Sequence, residues 1–253
     1  MTLALLAVGA IGGLFSGLFG VGGGLLMVPL LMWWARMPQR RATATSLLAI
    51  VPTGIVGSIG YAIGGQIDVL AGVIIGAGAI AGAPLGTLLL RRLPIVWLRW
   101  MLIAGMLAAA VYLMLVEPDR GAALALTPAS VAGLVLLGVT MGVLAGLFGI
   151  GGGIVAVPVL IALFGMGDLL AKGTSLVAMI PAAVVGTLSN RRARLVRVRD
   201  GLIVGAAAVV FSLAGVALAF VIPPALSGLL FGLLLVAAAV QLIVRTLRQP
   251  RTE

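Results

Sequence analysis

The sequence predicts an all-α integral membrane fold of two inverted-topology repeats, with about eight long transmembrane helices plus two short half-helices that form opposed, glycine-tipped hairpins. Three observations predict it. The first is composition: 62% of the residues are hydrophobic and 9% are charged, whereas a soluble domain carries about 25% charged residues. The second is an internal repeat. Residues 17–30 read GLFGVGGGLLMVPL and residues 146–159 read GLFGIGGGIVAVPV, so Gly22, Gly23 and Gly24 match Gly151, Gly152 and Gly153 at an offset of 129 residues, and Pro29 matches Pro158. The same offset carries Thr45, Ser46, Pro52, Gly57, Gly72 and Gly76 onto Thr174, Ser175, Pro181, Gly186, Gly201 and Gly205 without a gap. The third is arginine, which alternates between loops in opposite phase in the two copies.

The first repeat, 1–116, opens with apolar stretches at 2–19 and 24–35 on either side of the glycine run, and continues with 42–63, 69–90 and 95–116. An inter-repeat loop covers 117–127. The second repeat, 128–246, holds apolar stretches at 128–148, 153–165, 173–189, 201–222 and 225–244, and a C-terminal tail covers 247–253. A bilayer core needs about 20 helical residues. Stretches 24–35 and 153–165 fall short of that and read as half-helices following glycine breaks. Residues 1–20 have no basic segment before the apolar run and are followed by more membrane sequence, so they read as retained rather than as a cleaved signal. Pro52 and Pro181 are expected to kink their helices, and Trp33, Trp34, Trp97 and Trp100 to form an interfacial belt.

Loop charge sets relative orientation. In the first repeat the loop at 36–41 is rich in arginine, the loop near Asp68 has none, 91–99 has three, and 117–120 has only Arg120 beside Glu117 and Asp119. In the second, 166–172 holds only Lys172 with Asp168, 191–199 holds five arginines, the turn at Pro223 and Pro224 none, and the tail Arg245, Arg248 and Arg251. By the positive-inside rule the repeats face opposite ways, with the C-terminus cytoplasmic. Three ordinary helices follow each glycine-broken element, so that element must start and finish on one side, as a hairpin. The pseudo-two-fold axis then lies in the membrane plane.

Backbone away from regular helix is tolerated at membrane depth only where it is buried in protein or lines a cavity. Short helices starting near Gly24 and Gly153 would present N-terminal N–H groups there, which favour an anion. The candidate substrate-binding residues are therefore Gly20, Gly22, Gly23, Gly24, Thr45 and Ser46 in the first repeat and Gly149, Gly151, Gly152, Gly153, Thr174 and Ser175 in the second. Close helix packing is the competing reading of glycine, and it is preferred for the spaced sets at Gly9, Gly13 and Gly17, at Gly78, Gly82 and Gly86, and at Gly138, Gly142 and Gly146. For the paired Thr-Ser sites, helix capping is the default. Lys172, the one lysine in the chain, reads as a loop residue at the membrane surface.

Other classes are disfavoured. The net charge of +10 resides in short loop clusters, which leaves no basic face for a nucleic acid. The chain has no cysteine and no histidine, and no predicted span holds a carboxylate, so neither an intramembrane enzyme nor a metal or other cofactor site is expected. The same lack of a titratable group in a span predicts anion movement down the membrane potential rather than proton coupling. The implied partners are a small anionic substrate and the lipid bilayer, and a homo-oligomer is compatible with the sequence.

GLFGVGGGLLMVPLL, its repeat GLFGIGGGIVAVPVL, the segments ATATSL and GTSLVAMIP, and GGQIDVLAGVIIGAGAIAGAPLG resemble the TauE/SafE family of membrane permeases, also called sulfite exporters, over nearly the whole chain. The resemblance implies a prokaryotic-type inner-membrane exporter of sulfur-containing anions such as sulfite, sulfoacetate or other organosulfonates. Transport of another small oxyanion or a carboxylate, including uptake, is the alternative. The second copy departs at IDVLAG, where VRVRDG stands instead.

Overall fold

The computed structural model describes residues 2–92, 95–115, 127–148 and 152–248. These residues form helices α1 (Thr2–Phe19), α2 (Gly24–Trp33), α3 (Gln39–Ile63), α4 (Val69–Arg92), α5 (Ile95–Leu115), α6 (Pro128–Phe148), α7 (Gly153–Ala162), α8 (Asp168–Arg192), α9 (Val198–Val221) and α10 (Pro224–Arg248). The fold is all-α, and six of the helices are long and apolar enough over their described residues to cross a membrane. Helices α2 and α7 have ten residues each and so reach about 15 Å, half the thickness of a bilayer core.

The first glycine break is a turn in left-handed backbone, and Gly152, the described end of the second, has the same conformation. Gly20, Gly22 and Gly23 have φ of 69°, 75° and 69°, and Gly152 has φ of 74°, a region that side chains other than glycine rarely adopt. The chain reverses there and α2 packs back against α1. Gly149 and Gly151 lie outside the described residues, as do most of the inter-repeat loop and the end of the tail.

Helix contacts exchange under the 129-residue offset. α1 packs chiefly on α9 and α4 chiefly on α6, which are the same pair with the repeats swapped; α3 on α9 and α4 on α8 are likewise exchanged. α3 packs on α8, its own counterpart, and α5 on α10. The residues that set these crossings exchange too. A Cβ on Gly9 would overlap the Val204 carbonyl and one on Gly138 the Ile75 carbonyl; the Gly13–Ala208 contact recurs as Gly142–Ala79. These glycines permit backbone-to-backbone approach, as the packing reading expects. Pro52 and Pro181 lie inside continuous helices, and Pro181 sits under Gly76 while Pro52 sits under Gly205.

Polarity is arranged as lipid demands. Large apolar side chains such as Ile59, Val73, Val210 and Leu233 are exposed, whereas Thr45, Ser46, Asp168, Lys172, Thr174, Ser175, Asp200 and Ser227 are buried. Trp33, Trp34 and Trp100 are exposed, consistent with membrane edges.

Two sequence expectations fail at helix starts. α3 begins at Gln39 and α8 at Asp168, after Pro38 and Gly167 at the N-cap positions. Thr45-Ser46 and Thr174-Ser175 therefore lie well inside their helices and cannot be caps. Asp168 and Lys172 belong to α8 rather than to a surface loop, and Lys172 is fully buried. Hydropathy stops at a charged residue, but the helix continues, because a carboxylate in the first turn suits the helix dipole and Lys172 finds partners inside the protein.

Candidate functional site

The turn before α2 and the start of α7 come together inside the protein. The N-cap residues of α2 and α7 are Gly23 and Gly152, both left-handed and neither with a side-chain cap. A helix start leaves its first N–H groups without intrahelical partners; here the Leu26 and Val155 N–H groups donate back to the Gly23 and Gly152 carbonyls at 3.1 and 3.2 Å, ahead of which stand the amides of the first two residues of each helix. Gly20, Val21, Gly22, Gly23 and Gly24 are all buried, as are Gly152 and Gly153. A Cβ on Gly153 would lie 3.0 Å from the Val21 carbonyl oxygen and 2.6 Å from Met179 Sδ; one on Gly22 would lie 2.8 Å from the same sulfur. Met179 of α8 thus touches both tips, and Ile50 of α3 lies beside Gly22. Ile50 and Met179 are themselves repeat counterparts.

Sequence reading did not select Met179 or Ile50. A signal was present: each stands four residues after the matched serine, Ser46 or Ser175, and so shares its helix face. Apolar residues in apolar helices carry no other mark of position.

The hydroxyls fasten the tips to the long helices. Ser175 Oγ donates to the Gly20 carbonyl and, at 2.8 Å, stands on the Lys172 carbonyl. Ser46 Oγ donates to the Thr43 carbonyl at 3.0 Å, the local equivalent. Thr174 Oγ1 accepts from the Asp68 N–H at 3.0 Å, while Asp68 Oδ1 accepts from the Ala71 N–H at 2.9 Å and caps α4. Thr45 Oγ1 donates to the Met37 sulfur at 4.0 Å. Gly20 sits directly on α8: a Cβ there would be 2.6 Å from Lys172 Cα. The structure therefore brings Gly20, Gly22, Gly23, Gly152, Gly153 and Ser175 together, and sets Thr174 and Thr45 toward loop and side-chain partners instead.

Charged contacts join the helix starts. Arg41 at the start of α3 pairs with Asp200 at the start of α9, 2.7 Å apart, linking the two arginine-rich segments predicted to share a face. Lys172 Nζ donates to Asp168 Oδ2 at 2.8 Å and to Ser227 Oγ at 2.6 Å, linking α8 to α10 near segments predicted to lie on the other face. Tyr61 is buried on α3, donates its hydroxyl to the Gly17 carbonyl at 2.7 Å, and packs against Gly173.

Comparison with known proteins agrees with this architecture. The family model described as "Sulfite exporter TauE/SafE" matches residues 1–113 and 134–253. A "probable membrane transporter protein" of Xylella fastidiosa (strain 9a5c) is 39% identical over 92 residues, 36% of this chain and 35% of that protein. The "probable membrane transporter protein YunE" of Bacillus subtilis is 35% identical over 88 residues, 35% of this chain and 32% of its own length. These alignments span about a third of either relative. The "probable membrane transporter protein YdhB" of the same bacterium is 29% identical over 178 residues, covering 69% of this chain and 72% of that protein. With the family model matched along both halves and the paired glycine turns in place, the chain belongs to the TauE/SafE family.

Proposed function

We propose that this protein is a membrane transporter that exports small sulfur-containing anions, such as sulfite, sulfoacetate or other organosulfonates, by alternating access around a site between two inverted repeats. The observation that carries the reading is the convergence of two buried helix starts, capped only by left-handed Gly23 and Gly152, on a single flexible side chain, Met179. Unpaired N–H donors and the positive ends of two dipoles select an anion without a cationic side chain at the tips. Sulfonate and sulfite offer several acceptor oxygens to such donors. Methionine, unbranched and polarisable, can swing aside to admit them.

In this reading Gly20, Gly22, Gly23, Gly24, Gly149, Gly151, Gly152 and Gly153 line the substrate, with Thr45, Ser46, Thr174 and Ser175 on the flanking helices. The exchange of helix contacts under the repeat offset supports a pseudo-two-fold axis, about which the halves rock to open either side. The setting is the cell inner membrane, with the C-terminus cytoplasmic, as loop charge requires.

The test is a thermal-shift screen of the purified protein with sulfite, sulfate, thiosulfate, sulfoacetate, taurine and simple carboxylates, followed by flux in liposomes. A ligand bound only by the folded state raises the midpoint. Sulfite or a sulfonate should give the largest shift and saturable flux. A larger shift and faster flux with a carboxylate would replace the substrate class, and no flux with any of them would reject transport.

A further inference from the structure

One buried charged group stands beside the first glycine tip without being one of its glycines or hydroxyls. Lys172 is fully buried and Asp168 is 3% exposed, and both lie in a helix apolar enough to cross the membrane. The ammonium is held by Asp168 on its own helix and by Ser227 of α10. The backbone of the same residue is the surface on which Gly20 rests, and Ser175 Oγ donates to the carbonyls of both. Ion pair and first tip thus share one turn of α8. The other titratable groups close by are Tyr61 of α3, whose hydroxyl is engaged by the Gly17 carbonyl, and Asp68 before α4, whose amide is bonded to Thr174. A buried cation requires a compensating anion. In this structure the anion is Asp168.

We propose that Asp168 is a tethered stand-in for the substrate anion at Lys172, and that protonation of Asp168 hands the ammonium to the substrate, so that one proton and one monovalent anion cross together. This rests on the anion-transporter reading above, and export by such coupling runs when the internal excess of anion exceeds the inward proton gradient. The balance closes. A proton from water adds to a carboxylate oxygen of Asp168 and forms an O–H bond; the Nζ–H donor released by that oxygen passes to an oxygen of the incoming anion. Before the step the site holds one ammonium and one carboxylate; after it, one ammonium, one neutral acid and one bound anion. Both states are neutral, so neither leaves an uncompensated charge inside the protein. Ser227 holds the ammonium in place throughout. Ionisable residues inside a spanning helix bundle mark such relays, and Asp168 and Lys172 are a buried pair of this kind at the N-terminal end of α8.

The test uses the full-length protein in liposomes with radiolabelled methanesulfonate, which stays ionised at all working pH values. With the membrane potential clamped at zero, an inward proton gradient should drive uphill accumulation of about tenfold per pH unit, without current, and voltage alone should drive none. Asp168→Asn should abolish the pH-driven accumulation and make flux follow voltage. Asp168→Glu should restore it, and Lys172→Met should remove saturable flux under both gradients. A second measurement does not depend on the variants folding. In weakly buffered detergent solution, methanesulfonate binding to the wild-type protein should take up about one proton per anion. Wild-type flux that follows voltage alone, pH-driven accumulation that persists in Asp168→Asn, or saturable binding without proton uptake would overturn the coupling while leaving anion transport intact. Absence of methanesulfonate flux under either gradient would instead remove sulfonate transport, and the coupling with it.

Discussion

Gly23, the N-cap of α2, and Gly153, the first residue of α7, stand at neighbouring places in the repeat register under different physical constraints, and their variants should separate function from folding. Gly153 is the first residue of α7 and its missing Cβ faces Met179. Gly153→Ala requires Met179 to move and the Val21 carbonyl to give by a few tenths of an ångström, so stability should fall by about 1–3 kcal/mol, while flux falls because the added methyl group narrows the gap between the tips. Gly23 has φ of 69° and its Cβ would overlap the Gly12 carbonyl. Gly23→Val should therefore lower stability by more than the 1–2 kcal/mol of left-handed backbone alone. Unfolding in mixed micelles and liposome flux, measured on both proteins, check this; normal flux in Gly153→Ala would return that glycine to a packing role. The buried pair gives a second residue-scale expectation. Asp168→Leu leaves Lys172 without its anion and should cost about 3–5 kcal/mol, whereas adding Lys172→Met should recover much of the loss. Equal destabilisation of the single and double variants would show that the pair contributes packing rather than charge compensation.

Among the elements, the α1–α9 and α4–α6 crossings are the paired seams of the fold. In each, glycine carries one helix backbone onto the carbonyl groups of the other: Gly13 on Ala208 in the first, Gly142 on Ala79 in the second. At Gly13 and Gly142 the nearest atoms that a Cβ would meet are all backbone, which cannot swing aside to accept extra volume. Gly13→Leu and Gly142→Leu should each destabilise by about 1–3 kcal/mol or more, with similar loss of folded protein in membranes. Gly105 of α5 is the control, because a Cβ there meets nothing within 4 Å; Gly105→Leu should leave abundance near normal. Loss at Gly13 with none at Gly142 would break the equivalence of the two seams. The short helices behave differently: α2 and α7 are bound at their N-terminal tips by the long helices, through Ser175 on Gly20 and Met179 on Gly153. Ser175→Ala leaves the Gly20 carbonyl short of a donor and should cost about 1–3 kcal/mol, read as a lower unfolding midpoint.

For the whole molecule, opposite phases of loop charge and exchanged helix contacts point to repeats that face opposite sides of the bilayer. The chain has no cysteine, so single cysteines report position without background. A cysteine at Asp119 should react with an impermeant maleimide in sealed cells, and one at Arg192 should react only after permeabilisation. Reaction of Arg192→Cys from outside with protection of Asp119→Cys would reverse the orientation. Reaction of both from outside would reject the inverted arrangement altogether.

The sequence by itself determined the apolar helices, the 129-residue repeat and the glycine turn before α2, but not where α3 and α8 begin. All are local or periodic properties: an apolar run long enough to span, an offset that preserves glycines and prolines, and three adjacent glycines that a helix does not favour. Expectations such as 2–19 and 128–148 coincide with α1 and α6 for that reason. Only the tertiary structure decided what meets what. Ser175 reaches Gly20 across 155 residues and Lys172 reaches Ser227 across 55, and no window of sequence contains both partners. Hydropathy treats a lysine as though lipid or water must surround it, so it placed Lys172 in a loop; a carboxylate one turn earlier and a hydroxyl on α10 make the interior a permissible place. Met179 was invisible for the opposite reason, because an apolar residue costs nothing in any buried position, and its place between the glycine tips follows from how the two halves pack.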